Sequence, residues 1–485
     1  MTSIPLRASI QSNAKKFTSL RRWSIRQLLD FNLDQDDDIV TRTGTGTATT
    51  TTSTTAASTN TNTHFFLHEV QIRLASQHSK LISFTTSLDK YTKTIKNEGG
   101  LDIVHKNLSN LQILHENTYS LIQDVTKGGG RVDSTTTTFN TDTLKIHQQR
   151  YSNTFDEIMT RHGNSVETLA DIVLHVRDSM LPGLPSILRQ PFLRDVKLMH
   201  EHEIEEYLHS RLMIQLLCEH YVSLHNQKKK KKKSTGGAIT VNGDIFDLID
   251  DASTEARHVC DANLGVAPEV IMLQTETKSD ERGRIEPPPI VRSWLHHALV
   301  EVIKNAMTSS VMHLGILRTS NYAQMESESS MLPPSIHVSV RMEDMPSDGN
   351  KVRCGGGSDI VASSSIMNTS SQRYLVIKVI DQGIGVRDID AAFGFARSSS
   401  RKRWDRLKEQ QSYAAVRQPL GSLGVGLTLS RLMLRAFGGN LTLSNNRQHQ
   451  HQHSNNEAGV MSGILGSGCT ATLMINCDDS FMAKN

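Results

Sequence analysis

Three long stretches in the first half of the chain space apolar residues by alternating steps of three and four: "EVQIRLASQHSKLISFTTSL", "TFDEIMTRHGNSVETLADIVLHV" and "IEEYLHSRLMIQLLCEHYVSLH". Such spacing puts an apolar stripe on one side of a helix and polar residues on the other, so each stretch predicts an amphipathic helix that needs a partner. Long helices with short true connections predict an antiparallel bundle. Past residue 242 the period changes. "IFDLIDDASTEARHVCDANL" reads as an amphipathic helix, "PEVIML" as a strand and Trp294 to Met312 as a helix, while "SIHVSVRME" and "RYLVIKVID" alternate like paired strands. The class is therefore α+β, an N-terminal antiparallel helical bundle followed by a C-terminal α/β sandwich in which helices cover one face of a sheet.

Low-complexity tracts divide the chain. The Thr-rich run from Thr41 to Thr63 and the one from Ser134 to Thr138 cannot bury a core and read as flexible inserts. "KKKKKKSTGG", Lys228 to Gly237, reads as a solvated linker. "CGGGSDIVASSS", Cys354 to Ser365, is a loop between two strands. The alternation "QHQHQHS", Gln448 to Ser454, has no acidic or cysteine partner at metal-site spacing and reads as an enlarged hairpin loop. The opening segment carries Arg7, Lys15, Lys16, Arg21 and Arg22, has no acidic residue before Asp30 and lacks an apolar core, the pattern of an organellar targeting sequence rather than a secretory one. The expected organisation is a mitochondrial presequence over 1–22, the bundle over 23–227, the linker over 228–242 and the sandwich domain over 243–478.

Composition adds exclusions. A chain of 485 residues allows two or three domains, and its 37% hydrophobic content fits cores interrupted by long polar inserts. A net charge of +3 with only 5% aromatic residues carries no nucleic-acid signature. Five cysteines without a C-x-x-C pair read as reduced thiols, with neither a zinc site nor a disulfide frame. No apolar run approaches the roughly 20 residues a transmembrane helix needs.

The chemistry concentrates after the linker. In "WLHHALVEVIKNAM", Leu295, Leu299, Val302 and Ala306 form an apolar stripe, while His297, Glu301, Lys304 and Asn305 form a polar column. "DQGIGV", Asp381 to Val386, directly follows the strand "YLVIKVI", which places Asp381 at a strand end. In "GSLGVGLTLSRLMLRAFGG", Gly421, Gly424 and Gly426 precede a helix. Glycines ahead of a helix let backbone N–H groups approach phosphate oxygens, aided by the helix dipole. An amide oxygen such as that of Asn305 suits the magnesium that accompanies those phosphates.

In this order the three boxes resemble the Bergerat ATP-binding fold of gyrase and histidine kinases. "SLRRWSIRQLLDFN", "HEVQIRLASQ", "TRHGNSVETLAD", "SRLMIQLLCEHYVSLH" and "DASTEARHVCDANLGVAPEV" resemble the mitochondrial pyruvate dehydrogenase kinase and branched-chain 2-oxoacid dehydrogenase kinase family. The resemblance implies that Asn305 binds Mg²⁺, that Asp381 bonds the adenine amino group of ATP, and that Gly383 and Gly385 shape its pocket. Ser398 and Ser399 take the place of the family's Ser-Thr pair, Gly424, Val425, Gly426 and Leu427 that of its phosphate loop, and His162 that of its bundle histidine. Two boxes depart: the first glycine of G-x-G-x-G is Ser422 here, and the late "GTDA" reads "GCTA", Gly468 to Ala471.

Glu301 lies four residues before Asn305, on the same helical face, where a carboxylate can take a proton from an attacking hydroxyl. The expected activity is an ATP-dependent protein-serine kinase in the mitochondrial matrix. Its expected substrate is the E1α subunit of a 2-oxo acid dehydrogenase complex, pyruvate dehydrogenase first and the branched-chain complex second. Catalytic roles fall to Glu301 and to His297 one turn earlier, and Lys304 pairs with Glu301 or the phosphates. Implied partners are the lipoyl domain of the E2 core and a second copy of the chain. Three alternatives stay open: a histidine kinase, for which the acidic residue expected after His162 is replaced by Gly163; an ATP-gated clamp that activates water; and a nucleotide-binding scaffold.

Overall fold

The computed structural model describes residues 10, 23–29, 54–92, 98–127, 141–230, 237–241, 243–273, 288–320, 332–346, 371–397, 424–446 and 468–477. Two compact units emerge, one of 1–240, 291–298 and 388–433, the other of 241–290, 299–387 and 434–485.

Helices α1 (Thr54–Asp89), α2 (Glu98–Lys127), α3 (Thr141–Arg161), α4 (Ser165–His175), α5 (Ser186–Asp195) and α6 (Glu201–Lys230) build the first unit. Paired residues give their directions. His78 meets Glu116 and Thr85 meets Gln112 between α1 and α2. Gln149 meets His225 and Phe155 meets Tyr221 between α3 and α6. In both cases numbers rise on one helix as they fall on the other, the antiparallel arrangement expected from the sequence.

Three details differ from the periodicity. The stretch read as one helix through "TRHGNSVE" is two, because the His162 carbonyl accepts from the Ser165 hydroxyl and the Arg211 guanidinium at 2.8 Å each, and the chain turns there. Between α4 and α5 the residues Val176–Met180 form a π-turn, which a 3.6-residue pattern does not reveal. The tract read as a flexible insert is helical from Thr54 onward, and α6 runs into the lysine run as far as Lys230. Extending an existing helix fixes one residue per hydrogen bond, so an apolar-anchored helix propagates into neighbours that would not nucleate one. The Ser134–Thr138 and Gln448–Ser454 tracts, the Cys354–Ser365 loop and, apart from Ile10, the presequence lie outside the described residues.

The bundle interior holds several histidines. His162 is buried, bonded to the Thr118 hydroxyl at 2.9 Å and stacked on His115. His220 reaches the Leu28 carbonyl through Nε2 at 3.0 Å and accepts from the Ala238 amide through Nδ1, which requires a neutral ring. Burial, with smaller contributions from Arg211 and Arg161, holds His162 down to about 3. Burial also holds His220 down to about 4, and His115 well below the ordinary imidazole range.

The second unit contains α7 (Ile245–Leu264), β1 (Val270–Met272), most of α8 (Arg292–Ser320), β2 (Ile336–Pro346), β3 (Ser371–Ile380), β4 (Asn440–Asn445) and β5 (Cys469–Asn476). Helix α7 begins where Asp244 accepts from the Phe246 and Asp247 amides and ends at Gly265 in the left-handed region. The sheet order is β1-β2-β3-β5-β4, parallel only between β1 and β2. Register aligns Val340 with Ile377, Ile377 with Leu473 and Leu473 with Leu441, a buried apolar row across four strands. That row fixes the position of the β3 end, where Asp381 emerges.

Because the folded-state pKa values of these histidines lie below the unfolded value near 6.5, the unfolded chain binds more protons as pH falls. Their contribution is complete above about pH 6.5 and is lost progressively toward pH 4 and 3. Urea unfolding is expected to show a lower midpoint at pH 5 than at pH 7.5, with roughly 2 kcal/mol lost per buried histidine. Replacing His220 by Gln is expected to flatten part of that dependence.

Candidate functional site

Helix α8 is buried on most of its circumference. Leu295, Ala298, Leu299, Val302, Ile303, Ala306 and Met307 are all inside. His297 and Glu301 are half-buried, Asn305 is exposed, and Thr308 and Ser309 are half-buried. These steps of four, four and three or four draw one open polar stripe along an otherwise apolar cylinder. Lys304 leaves that stripe: it is 6% exposed, and its ammonium reaches back one turn to the Glu301 carboxylate. The polar column of the sequence therefore becomes an outward carboxylate and amide, with a buried cation beneath the carboxylate.

At the end of β3, Asp381 is buried. Its Oδ1 accepts from the Gly383 amide at 2.8 Å and from the Ser309 hydroxyl at 3.3 Å. Burial raises its pKa, opposed by hydrogen bonds from Gly383, Cys469 and Ser309. Ser309 also accepts from the Ile384 amide at 3.1 Å, so one hydroxyl joins the helix to both the carboxylate and the glycine turn. A side chain at Gly383 would overlap the Ser309 hydroxyl and main chain. Gly385 has φ 71°, in the left-handed region. Beneath the turn, Asn446 donates to the Asp381 carbonyl at 3.0 Å, and its Oδ1 accepts from Thr470. Asn445 clasps Val386 through both main-chain groups, at 2.8 and 2.7 Å.

The second unit thus joins Glu301, Lys304 and Asn305 to Asp381 and Gly383 through Ser309. Sequence reasoning passed over Ser309, although it continues the four-residue series from Asn305. It also passed over Asn445 and Asn446, whose roles depend on a strand pairing that no local pattern shows.

In the first unit, Gly424 has φ 70°, and helix α9 (Gly426–Arg435) starts two residues later. Gly424, Val425, Gly426 and Leu427 present the amides of a helix start, which have no intrahelical carbonyl to bond. Thr428 donates to the Phe393 carbonyl at 2.9 Å, and the Arg431 guanidinium lies 4.5 Å from the Phe393 ring centre. Ser398 and Ser399 lie outside the described residues, as do Gly421 to Leu423.

Hard oxygen donors, the Asn305 amide and the Glu301 carboxylate, line the open stripe. No cluster of three metal-ligating His, Cys, Asp or Glu side chains occurs among the described residues. Such a stripe fits a magnesium ion held mainly by phosphate and water oxygens, and does not fit a protein-enclosed metal. Gly468, with φ 60°, sits where any side chain would overlap the Asp381 carbonyl. Gly468→Ala is expected to lower stability by about 1–3 kcal/mol in thermal or urea unfolding, through overpacking and left-handed strain.

Comparison with known proteins agrees with this architecture. Residues 22–240 match the family model described as mitochondrial branched-chain alpha-ketoacid dehydrogenase kinase. Over 297 residues, 60% of this chain and 54% of the relative, the sequence is 25% identical to the mitochondrial [pyruvate dehydrogenase (acetyl-transferring)] kinase isozyme 1 of Mus musculus. Isozyme 4 of Homo sapiens is 24% identical over 299 residues, 60% of this chain and 57% of the relative. The chain spans less than two thirds of the length of these curated relatives. From the bundle of the first unit to the glycine turn and helix of the second, the chain belongs to the family of mitochondrial pyruvate dehydrogenase and branched-chain 2-oxoacid dehydrogenase kinases.

Proposed function

We propose that the protein is an ATP- and Mg²⁺-dependent protein-serine kinase that acts in the mitochondrial matrix on the E1α subunit of a 2-oxo acid dehydrogenase complex and switches it off. The observation that carries this reading is the open stripe on α8, with Glu301 and Asn305 outward one turn apart and Ser309 tying their helix to Asp381. Asp381 Oδ1 is occupied by Gly383 and Ser309, which leaves Oδ2 to accept from an adenine amino group. Gly383 leaves room for the flat base, and Asn305 would hold the magnesium. That ion, when bound, neutralises charge on the transferring phosphoryl group.

Glu301 is the base. Its carboxylate takes the proton of a serine hydroxyl as the serine oxygen bonds to the γ-phosphorus and the bond to the ADP oxygen breaks. Lys304, fixed underneath, orients that carboxylate. His297, one turn earlier, is positioned to tune it. The names of the relatives favour pyruvate dehydrogenase as substrate, and the name of the matching family model favours the branched-chain complex. Pyruvate dehydrogenase stays the first choice, with docking on an E2 lipoyl domain and a homodimer as the working assembly.

A histidine kinase is disfavoured because His162, the bundle histidine, is fully enclosed and bonded to Thr118 rather than presented to a phosphate donor. Glu301→Gln is expected to lower turnover roughly 10²- to 10⁴-fold while MgATP binding stays within a few-fold of wild type. Phosphate incorporation and isothermal titration check the two halves. Incubation with labelled ATP and each purified dehydrogenase complex is expected to label E1α. Label on a histidine of the kinase, or on neither E1α, would overturn the proposal.

A further inference from the structure

Arg177 stands in the π-turn Val176–Met180, far in sequence from any glycine box. Its guanidinium is held by Asp178, with Nε 3.1 Å from Oδ1, and its Nη2 donates to the Ala396 carbonyl at 2.7 Å. Ala396 is fully buried and has φ 56°, the only positive φ at a non-glycine residue among the described residues. A left-handed alanine costs free energy and persists only where its surroundings hold it. The next peptide, that of Arg397, is the surface against which Gly424 packs, since a side chain at Gly424 would overlap the Arg397 carbonyl and amide. Upstream, Phe393 is tied to helix α9 twice, through Thr428 and beneath Arg431. The segment 389–397 is therefore gripped by the bundle at Ala396 and by the start of α9 at Phe393 and Arg397.

We infer that Arg177 is a positioning residue of the nucleotide site: by holding the Ala396 carbonyl, it fixes the left-handed turn that seats Gly424, and so aligns the amides of Gly424 to Leu427. This rests on the reading of those amides as the phosphate loop. Arg177 touches neither nucleotide nor substrate in this scheme. It acts through backbone conformation, and it makes the spacing of phosphate-binding amides depend on a wide turn in the bundle. Lysine, with one point donor in place of a fork, cannot keep both the Asp178 pair and the Ala396 bond.

Three variants of the full chain, Arg177→Ala, Ala396→Gly and the double substitution, test this. In the nucleotide-free protein, Arg177→Ala is expected to raise amide hydrogen exchange in both 389–397 and 424–429, with the rest of the bundle unchanged. MgATP affinity is expected to fall roughly tenfold, the scale of one charge-assisted hydrogen bond. Glycine adopts the left-handed conformation without strain. Ala396→Gly in the Arg177→Ala background is therefore expected to recover part of the lost affinity, which a purely structural role for Arg177 within the bundle would not produce. Unchanged exchange in the two segments, or a double variant no better than Arg177→Ala, would overturn the role of Arg177 even in a protein that binds ATP. Failure of the wild type to bind MgATP would instead overturn the phosphate-loop reading, and with it the nucleotide role assigned to Arg177, while the exchange data would still report the mechanical link.

Discussion

The contact between Ser309 and the Gly383 turn is the constraint on which the site of the second unit depends. One hydroxyl donates to a buried carboxylate and accepts from a backbone amide, and the main chain of Gly383 lies so close that only hydrogen fits. Helix and strand end are thereby locked to a single distance. A buried apolar circumference keeps α8 from rotating, and the cross-strand row from Val340 to Leu441 keeps the end of β3 from sliding. The polar groups that remain outward have their geometry set before any ligand arrives, the condition under which positioning rather than induced rearrangement supplies the rate.

A second dependence runs beneath the carboxylate. Glu301 is paired with a lysine almost wholly removed from water. Burying a cation is costly unless it is paired, so the pair stands or falls together. The arrangement secures the orientation of Glu301 without occupying its outward side, where a proton acceptor has to be open.

Much of this was legible in the chain. The boundaries of α7 follow from its apolar spacing, from Asp244 ahead of it and from Gly265 behind. The paired alternation of "SIHVSVRME" and "RYLVIKVID" foretold two antiparallel neighbours, and the four-residue spacing of Glu301 and Asn305 foretold their shared face. What stayed hidden depends on partners distant in sequence. The break at His162 requires Arg211 from another helix. The inward turn of Lys304 depends on packing around a helix that is apolar on nearly every side, and a polar residue on such a helix gives no sign of which way it faces. Asn446 matters only because β4 lies beside β5. Ala396 carries no mark of a left-handed backbone, since alanine is not a residue that favours one.

The π-turn adds a constraint of a different kind. A wide turn is an α-helix carrying one residue too many, and the extra residue resets the angular phase of everything after it. Loss of any single residue between Val176 and Met180 would let the helix rewind and turn the following segment by about 100°. Met180, Leu184 and Phe192, all buried now, would be swung away from the core. Along this stretch the number of residues is constrained independently of their identity: substitutions leave the helical phase intact, whereas a one-codon deletion, in frame and free of any change in polarity, would not.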